Sequence, residues 1–131
     1  MKILIKNGRV VDPSQKINKF MNLEITNGKI TNLILKKAVN EKSFDEIIDA
    51  EGLIVAPGLV DIHVHLRDPG FKHKETVKTG SMAAAAGGFT SIACMPNTSP
   101  VNDRPEITKY ILNKSKKLGL VNIYPISAIT R

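Results

Sequence analysis

The residues best suited to chemistry are concentrated between Asp61 and Gly70, in the run DIHVHLRDPG. His63 and His65 are separated by one residue, and in a β-strand this spacing directs both side chains to one face. Imidazole nitrogens are common Zn²⁺ ligands, and a catalytic zinc site keeps one position open for water. The pattern favours a metal site, but two histidines do not complete one, and a structural pair of strand histidines has the same spacing.

Strand alternation places Asp61 and Arg67 on the same face as the two histidines. A guanidinium at the mouth of a site can hold a carboxylate through two parallel hydrogen bonds. This makes Arg67 a candidate for binding an acidic substrate. The alternative is a structural ion pair between Arg67 and either Asp61 or Asp68.

Asn97 follows a second predicted strand directly, in the run MPNT. The carboxyl ends of parallel strands meet at one edge of a sheet, so Asn97 is expected at the same end as Arg67. An amide can donate to a carboxylate while it accepts from a ring N–H, although an ordinary turn asparagine is the competing interpretation. The remaining histidine, His73, is expected in a solvated loop, and Cys94 is expected as a small core residue.

Residues 1–54 are predicted to form a β-rich portion. Strands are expected on both sides of the Asn7-Gly8 turn signal, and the runs 20–26 and 29–35 are predicted to form a hairpin around Asn27-Gly28. Another short strand is expected over residues 45–50, after a polar loop over residues 36–43. Together these segments predict a small, mostly antiparallel sheet.

Residues 55–131 are predicted to form a βαβαβ portion, and apolar runs at 53–56 and 59–66 indicate buried strands of a parallel sheet. Helices are predicted over 75–87 and from about residue 103 to Gly119, with strands over 89–95 and 121–127. Asn102 or Asp103 is expected to cap the second helix, with Pro105 in its first turn. This order predicts an α/β fold with parallel strands.

Composition limits the possible functions. A chain of 131 residues is too short for a complete α/β barrel, which needs roughly 250. The net charge of +7 is spread evenly, aromatic residues make up 5%, and Trp is absent, so no nucleic-acid partner is expected. Lysines 114, 116 and 117 are interpreted as complementing the dipole of a helix end. No membrane span, signal peptide or internal disulfide is expected, which favours the cytoplasm.

Three stretches together resemble the dihydroorotase family of cyclic amidohydrolases, and most closely its bacterial type I members. They are KNGRVVDPS (6–14), APGLVDIHVHLRDPG (56–70) and AAAAGGFTSIACMPNTSP (83–100). The resemblance implies the start of a (β/α)8 metal-dependent hydrolase barrel, preceded by a small N-terminal β-sandwich portion. Because family members are about three times longer, the barrel is expected to be incomplete in this chain.

The resemblance also implies roles for individual residues. His63 and His65 match metal ligands of a site with one or two Zn²⁺ ions, Arg67 and Asn97 match residues that hold the substrate carboxylate, and Asp61 matches a supporting residue. The implied reaction is the reversible cyclisation of N-carbamoyl-L-aspartate to L-dihydroorotate in pyrimidine synthesis, with a metal-activated hydroxide. The general base, an Asp, is expected further along the chain than residue 131, so no catalytic residue is assigned here.

Other interpretations stay open at this point. Allantoinases and hydantoinases share part of the motif but lack the Arg-Asp-Pro-Gly continuation, and a non-catalytic dihydroorotase-like scaffold would use the same fold. The expected partner is a small-molecule substrate, with a possible homo-oligomer or an association with aspartate carbamoyltransferase. The remainder of the barrel is expected to be required, so the 131-residue chain alone is expected to be inactive.

Overall fold

The structure is a computed structural model that describes residues 1–35 and 39–130. The chain divides into two compact units, Met1–Pro57 and Gly58–Arg131. Most of the polar loop expected over residues 36–43 is described and contains a 3₁₀ turn at Glu41–Ser43, whereas residues 36–38 lie outside the described part.

Within residues 1–35 and 39–57, the first unit forms a six-stranded sheet. Its strands are β1 (Lys2–Lys6), β2 (Arg9–Asp12), β3 (Ile17–Thr26), β4 (Lys29–Leu35), β5 (Glu46–Asp49) and β6 (Ile54–Val55). Along the sheet the order is β5-β1-β3-β2-β6, and β4 also pairs with β3, off this path. The three pairings of β3 are antiparallel, whereas β5 and β6 add to the sheet in parallel.

The two Asn-Gly pairs of this unit behave differently. At Asn27-Gly28 both residues have positive φ, of 51° and 77°, and Thr26 pairs with Lys29, so the predicted hairpin is confirmed. Asn7 also has positive φ, but β1 and β2 both pair with β3 and not with each other. The chain therefore bends at Asn7-Gly8 without reversing.

The apolar run 53–56 is not a buried strand of the parallel sheet, and that prediction is wrong. Ile54 is 68% exposed, and β6 is a two-residue strand that pairs with β2 in the first unit. Val10, Met21 and Leu23 form one buried apolar cluster of this unit, and Leu4 and Ala50 are buried as well.

The second unit is a parallel three-stranded sheet with two helices, which confirms the α/β class. Its elements are β7 (Leu59–Val64), α1 (Val77–Ala86), β8 (Phe89–Cys94), α2 (Pro105–Leu118) and β9 (Asn122–Pro125), with the strands in the order β7-β8-β9. Side chains of the strands, the helices and the loop after β7 share one core cluster: Leu66, Val77, Ile92, Cys94, Ile111 and Ile123. However, β7 is not buried on both faces as predicted, since Val60 and Ile62 are 63% and 75% exposed.

The ends of the two helices can be compared with the sequence signals that predicted them. Thr76 caps α1 by accepting from the Thr79 N–H, and α2 has Pro105 in its first turn and ends at Gly119 with φ of 62°. The predicted cap of α2 is wrong, because the N-cap is Arg104 and makes no side-chain cap hydrogen bond. Within the described residues, neither helix is long and apolar enough to cross a membrane.

Candidate metal and substrate site

The strand that carries the histidines is irregular where they lie. Asp61 pairs with Ile92 and Val64 pairs with Cys94, so two residues of β7, Ile62 and His63, stand opposite one residue of β8. The strand ends at Val64, before His65. The prediction that strict alternation from Asp61 to Arg67 forms one face is therefore wrong, because a β-bulge interrupts it.

The two imidazoles are nevertheless neighbours. Their ring centroids are 5.2 Å apart and their planes meet at 65°. Within the bulge, the Asp61 Oδ1 accepts a hydrogen bond from the His63 backbone N–H at 2.9 Å. Both histidines are exposed.

Asn97 reaches the second of these histidines from the loop that follows β8. Its Oδ1 lies 3.0 Å from His65 Nδ1. An amide oxygen can only accept a hydrogen bond, so Nδ1 is the donor in this contact. The sequence-based expectation that Asn97 could accept from a ring N–H agrees with this contact.

The loops that follow β7 and β8 are also joined through their backbones. The Met95 N–H donates to the Val64 carbonyl at 2.9 Å, and the Ser99 N–H donates to the Pro69 carbonyl at 3.0 Å. Gly70 lies against Ser99, with φ of 99°, and a Cβ there would be 2.4 Å from the Ser99 Cβ. The close approach of the two loops therefore requires glycine at this position.

Arg67 lies in the first of these loops. It is half-buried, and its φ of 59° is in the left-handed region that non-glycine residues seldom adopt. The suggested ion pair with Asp61 or Asp68 does not form within the described part of the chain, where Asp68 pairs with Lys114 instead. The Arg67 guanidinium is thus not committed to either carboxylate.

Asp68 is a buried anchor that the sequence-based reasoning missed. It is 1% exposed, and it accepts from Tyr110 Oη at 2.9 Å, Lys114 Nζ at 2.9 Å and the Val77 N–H at 3.4 Å. Burial raises the pKa of this carboxyl, but the bonds from Lys114, Tyr110 and Val77 outweigh it and hold the pKa below its usual value. The available signal was the i, i+4 spacing of Tyr110 and Lys114, which places both on one face of α2.

Lys114 therefore has a specific partner and does not serve only to complement the helix dipole. Its Nζ also lies 4.6 Å from the centre of the Tyr110 ring. Lys116 and Lys117, by contrast, lie in the last turn of α2, where the dipole interpretation applies.

The two remaining candidates lie as expected. His73 is exposed, and its ring is 6.4 Å from that of Phe71. Cys94 is 2% exposed in the core, and burial raises the pKa of its thiol to about 11. Within residues 1–35 and 39–130, no group of three or more His, Cys, Asp and Glu side chains is arranged to hold a metal ion.

Comparison with known proteins places this site in a family. A model described as "Dihydro-orotase-like" matches residues 52–131, which is more than half of the chain. Dihydroorotases from Geotalea daltonii and Geobacter sulfurreducens are 57% and 53% identical over 131 residues, covering 100% of this chain and 30% of each relative. The chain thus spans about 30% of the length of these curated relatives.

A solved structure shares the fold. The L-hydantoinase (dihydropyrimidinase) from Arthrobacter aurescens superposes with a TM-score of 0.78 at 30% identity, over 95% of this chain and 27% of the hydantoinase. The sequence similarity to the dihydroorotases covers 100% of this chain and therefore includes the loops that carry the histidines, Arg67 and Asn97. By its sequence, this chain belongs to the dihydroorotase-like family.

Proposed function

We propose that this chain supplies the metal-binding and carboxylate-binding part of a dihydroorotase, which interconverts N-carbamoyl-L-aspartate and L-dihydroorotate. The observation that carries this proposal is the 3.0 Å contact between His65 and Asn97, which unites the two loops bearing the candidate residues. The similarity to dihydroorotases over the whole chain supports the same activity.

His63 and His65 fit a Zn²⁺ ion as part of a larger ligand set. Their rings are adjacent, and in a neutral His65 ring the hydrogen bond from Nδ1 to Asn97 would leave the lone pair on Nε2. When bound, Zn²⁺ would lower the pKa of a water ligand to about 7 and polarise the ring carbonyl of the substrate. Since these two histidines are too few for a catalytic site, further ligands must come from elsewhere in the enzyme.

Arg67 and Asn97 would bind the carboxylate of the substrate. The guanidinium offers two parallel N–H donors, and Asn97 can donate from Nδ2 while its Oδ1 accepts from His65. Asn97 would therefore connect substrate binding directly to the orientation of a metal ligand. Fixing the carboxylate in this way would hold the reacting carbonyl beside the metal site.

The parallel sheet would form the first three strands of a (β/α)8 barrel. Leu59, Val60, Ile62 and Tyr124 on its strands are 54% to 75% exposed, and further strands of a barrel would cover such side chains. The proton-transferring Asp and the other metal ligands would then come from those strands. The first unit would form part of an N-terminal β-sandwich.

A chimera tests this function. The matching 30% of the Geotalea daltonii dihydroorotase is replaced by this chain, and dihydroorotate hydrolysis and zinc content are measured. We expect an active, zinc-containing enzyme in which His63→Ala or His65→Ala lowers zinc content and abolishes hydrolysis. His73→Ala is the matched control, because that histidine is exposed in the same segment and should be dispensable.

The carboxylate-binding roles have their own readout. Arg67→Ala and Asn97→Ala should raise KM for dihydroorotate on the order of tenfold to a hundredfold, since each removes a hydrogen bond to a charged group. Asn113→Ala, at an exposed position of α2, is the control for Asn97. A folded, zinc-loaded chimera without dihydroorotase activity would contradict the proposed function.

A hydantoinase-type activity is the second candidate, because the structural similarity to the hydantoinase from Arthrobacter aurescens covers 95% of this chain. Hydantoin and dihydrouracil lack the carboxylate that Arg67 would bind. Faster hydrolysis of these rings than of dihydroorotate by the chimera would favour this candidate. A non-catalytic scaffold, by contrast, would bind neither zinc nor substrate in calorimetry.

A further inference from the structure

Asp68 is the one carboxylate of the candidate-site loops that is fully buried, among the residues that the structure describes. It lies next to Arg67 in sequence, yet its side chain contacts both helices and not the guanidinium. Through Val77 it binds the first backbone N–H of α1, and through Tyr110 and Lys114 it binds two successive turns of α2. This arrangement ties the loop after β7 to both helices of the unit.

The backbone at Arg67 needs such support. Its left-handed conformation is unfavourable for a residue with a Cβ, and such conformations persist only where the surroundings impose them. Leu66 on one side is 3% exposed in the core, and Asp68 on the other is 1% exposed. Two buried neighbours therefore fix the backbone at Arg67, while its own side chain stays free of ion pairs with the carboxylates beside it.

We propose that Asp68, with Tyr110 and Lys114, is a positioning group that holds Arg67 in the conformation needed to bind the substrate carboxylate. This inference rests on the proposed function. It assigns no contact between Asp68 and the substrate. Asp68 acts only through the backbone and side-chain placement of Arg67.

The test uses the chimera described above with Asp68→Asn, Lys114→Met and Tyr110→Phe. Asp68→Asn keeps the shape but presents donors towards Lys114, and misplacing a binding group by a small distance can cost on the order of a hundredfold. Tyr110→Phe and Lys114→Met each remove one of three donors, and each should raise KM on the order of tenfold. Because Arg67 binds the carboxylate in both ground and transition states, KM should rise much more than kcat falls.

A double-mutant cycle separates positioning from general structural damage. In an Arg67→Ala background, Asp68→Asn and Tyr110→Phe should cause no further rise in KM, because the group that they position is gone. Lys117→Met, an exposed lysine three residues beyond Lys114, is the matched control and should leave KM unchanged. Tyr110→Phe keeps the test decisive if Asp68→Asn does not fold.

The outcomes distinguish this inference from the proposed function. A rise in KM that disappears in the Arg67→Ala background supports positioning. An unchanged KM, or an equal rise with and without Arg67, overturns it while dihydroorotase activity stands. A folded, zinc-loaded chimera that is inactive before any substitution overturns the proposed function, and the positioning role with it.

Discussion

Asn102 joins the loop after β8 to the segment after β9, so replacing it should destabilise the second unit. It is 1% exposed. Its Nδ2 donates to the Ile126 carbonyl at 2.9 Å, and its Oδ1 accepts from Thr108 Oγ1 at 2.8 Å. Its backbone N–H donates to the Pro96 carbonyl at 3.0 Å, and its carbonyl accepts from the Ala128 N–H at 2.9 Å.

Asn102→Ala removes the two side-chain bonds and leaves the backbone ones. Each lost hydrogen bond is worth about 1 kcal/mol. A buried donor or acceptor that is left without any hydrogen-bond partner adds to this cost. We expect the free energy of unfolding to fall by about 2–3 kcal/mol, which corresponds to about 1 M in the urea midpoint. Asn113→Ala on the exposed face of α2 is the control, and it should change stability by less than about 0.5 kcal/mol.

Asn102→Asp makes the prediction sharper. A carboxylate can still accept from Thr108 but cannot donate to the Ile126 carbonyl, and it adds a buried charge. Burial would raise the folded pKa of this carboxyl above its unfolded value of about 3.9, so the variant loses stability as pH rises above that value. The stability deficit relative to the parent should therefore be larger at pH 7 than at pH 4, where a protonated carboxyl can donate.

Urea unfolding of the chain, followed by circular dichroism, measures these differences. Thr108→Ala should cost about 1 kcal/mol alone and much less in the Asn102→Ala background, because the shared hydrogen bond is already absent. A loss below about 0.5 kcal/mol for Asn102→Ala, or a deficit of Asn102→Asp that is the same at both pH values, would refute the reasoning.

Alkylation of Cys94 by iodoacetamide at pH 8 should be slow in the folded chain and fast in urea, because burial raises the pKa of the thiol to about 11; equal rates would show that the thiol is accessible. Gly28→Ala should lower stability by about 1 kcal/mol in urea unfolding, because φ is 77° there while no atom would contact the new Cβ. An unchanged midpoint would exclude backbone strain as the reason for glycine. The pKa of Asp68 is lower in the folded chain than in the unfolded chain, where it is about 3.9. Its contribution to the free energy of unfolding is therefore present above about pH 3.9 and is lost as the pH falls through the folded-state pKa. The stability difference between the parent and Asp68→Asn should therefore shrink between pH 6 and pH 3, and a constant difference would contradict the assigned hydrogen bonds.

Local sequence signals predicted the structure correctly where neighbouring residues determine the backbone conformation. Asn27-Gly28 specifies its hairpin because both residues must adopt positive φ, and Pro105 and Gly119 mark the first turn and the end of α2. Asn7-Gly8 has the same residue types but no reversal, because β1 and β2 find a common partner in β3. The pairing of β1 and β2 with β3 determines the path of the chain at Asn7-Gly8, and the residues next to this turn do not reveal that pairing.

The candidate site was predictable as a set of residues but not as a geometry. The order of strands and loops predicted Asn97 at the same end of the sheet as Arg67, and in the structure its Oδ1 lies 3.0 Å from His65 Nδ1. Strict alternation failed at His63, because the bulge opposite Ala93 depends on how β7 pairs with β8. The role of Asp68 was overlooked because Tyr110 and Lys114 lie 42 and 46 residues further along the chain. The sequence of the loop does not indicate which face of α2 packs against it.

Buried polar residues help to hold the loops at the carboxyl end of this sheet, together with the buried side chain of Leu66. Asp68 anchors the loop after β7 to both helices, and Asn102 anchors the loop after β8 to the segment after β9. A hydrogen bond requires a particular distance and angle between donor and acceptor, whereas the hydrophobic effect is non-directional. Both anchors and the three candidate residues His65, Arg67 and Asn97 lie in the second unit. We therefore expect zinc loss from the proposed chimera to impair catalysis more than it disturbs the loops after β7 and β8.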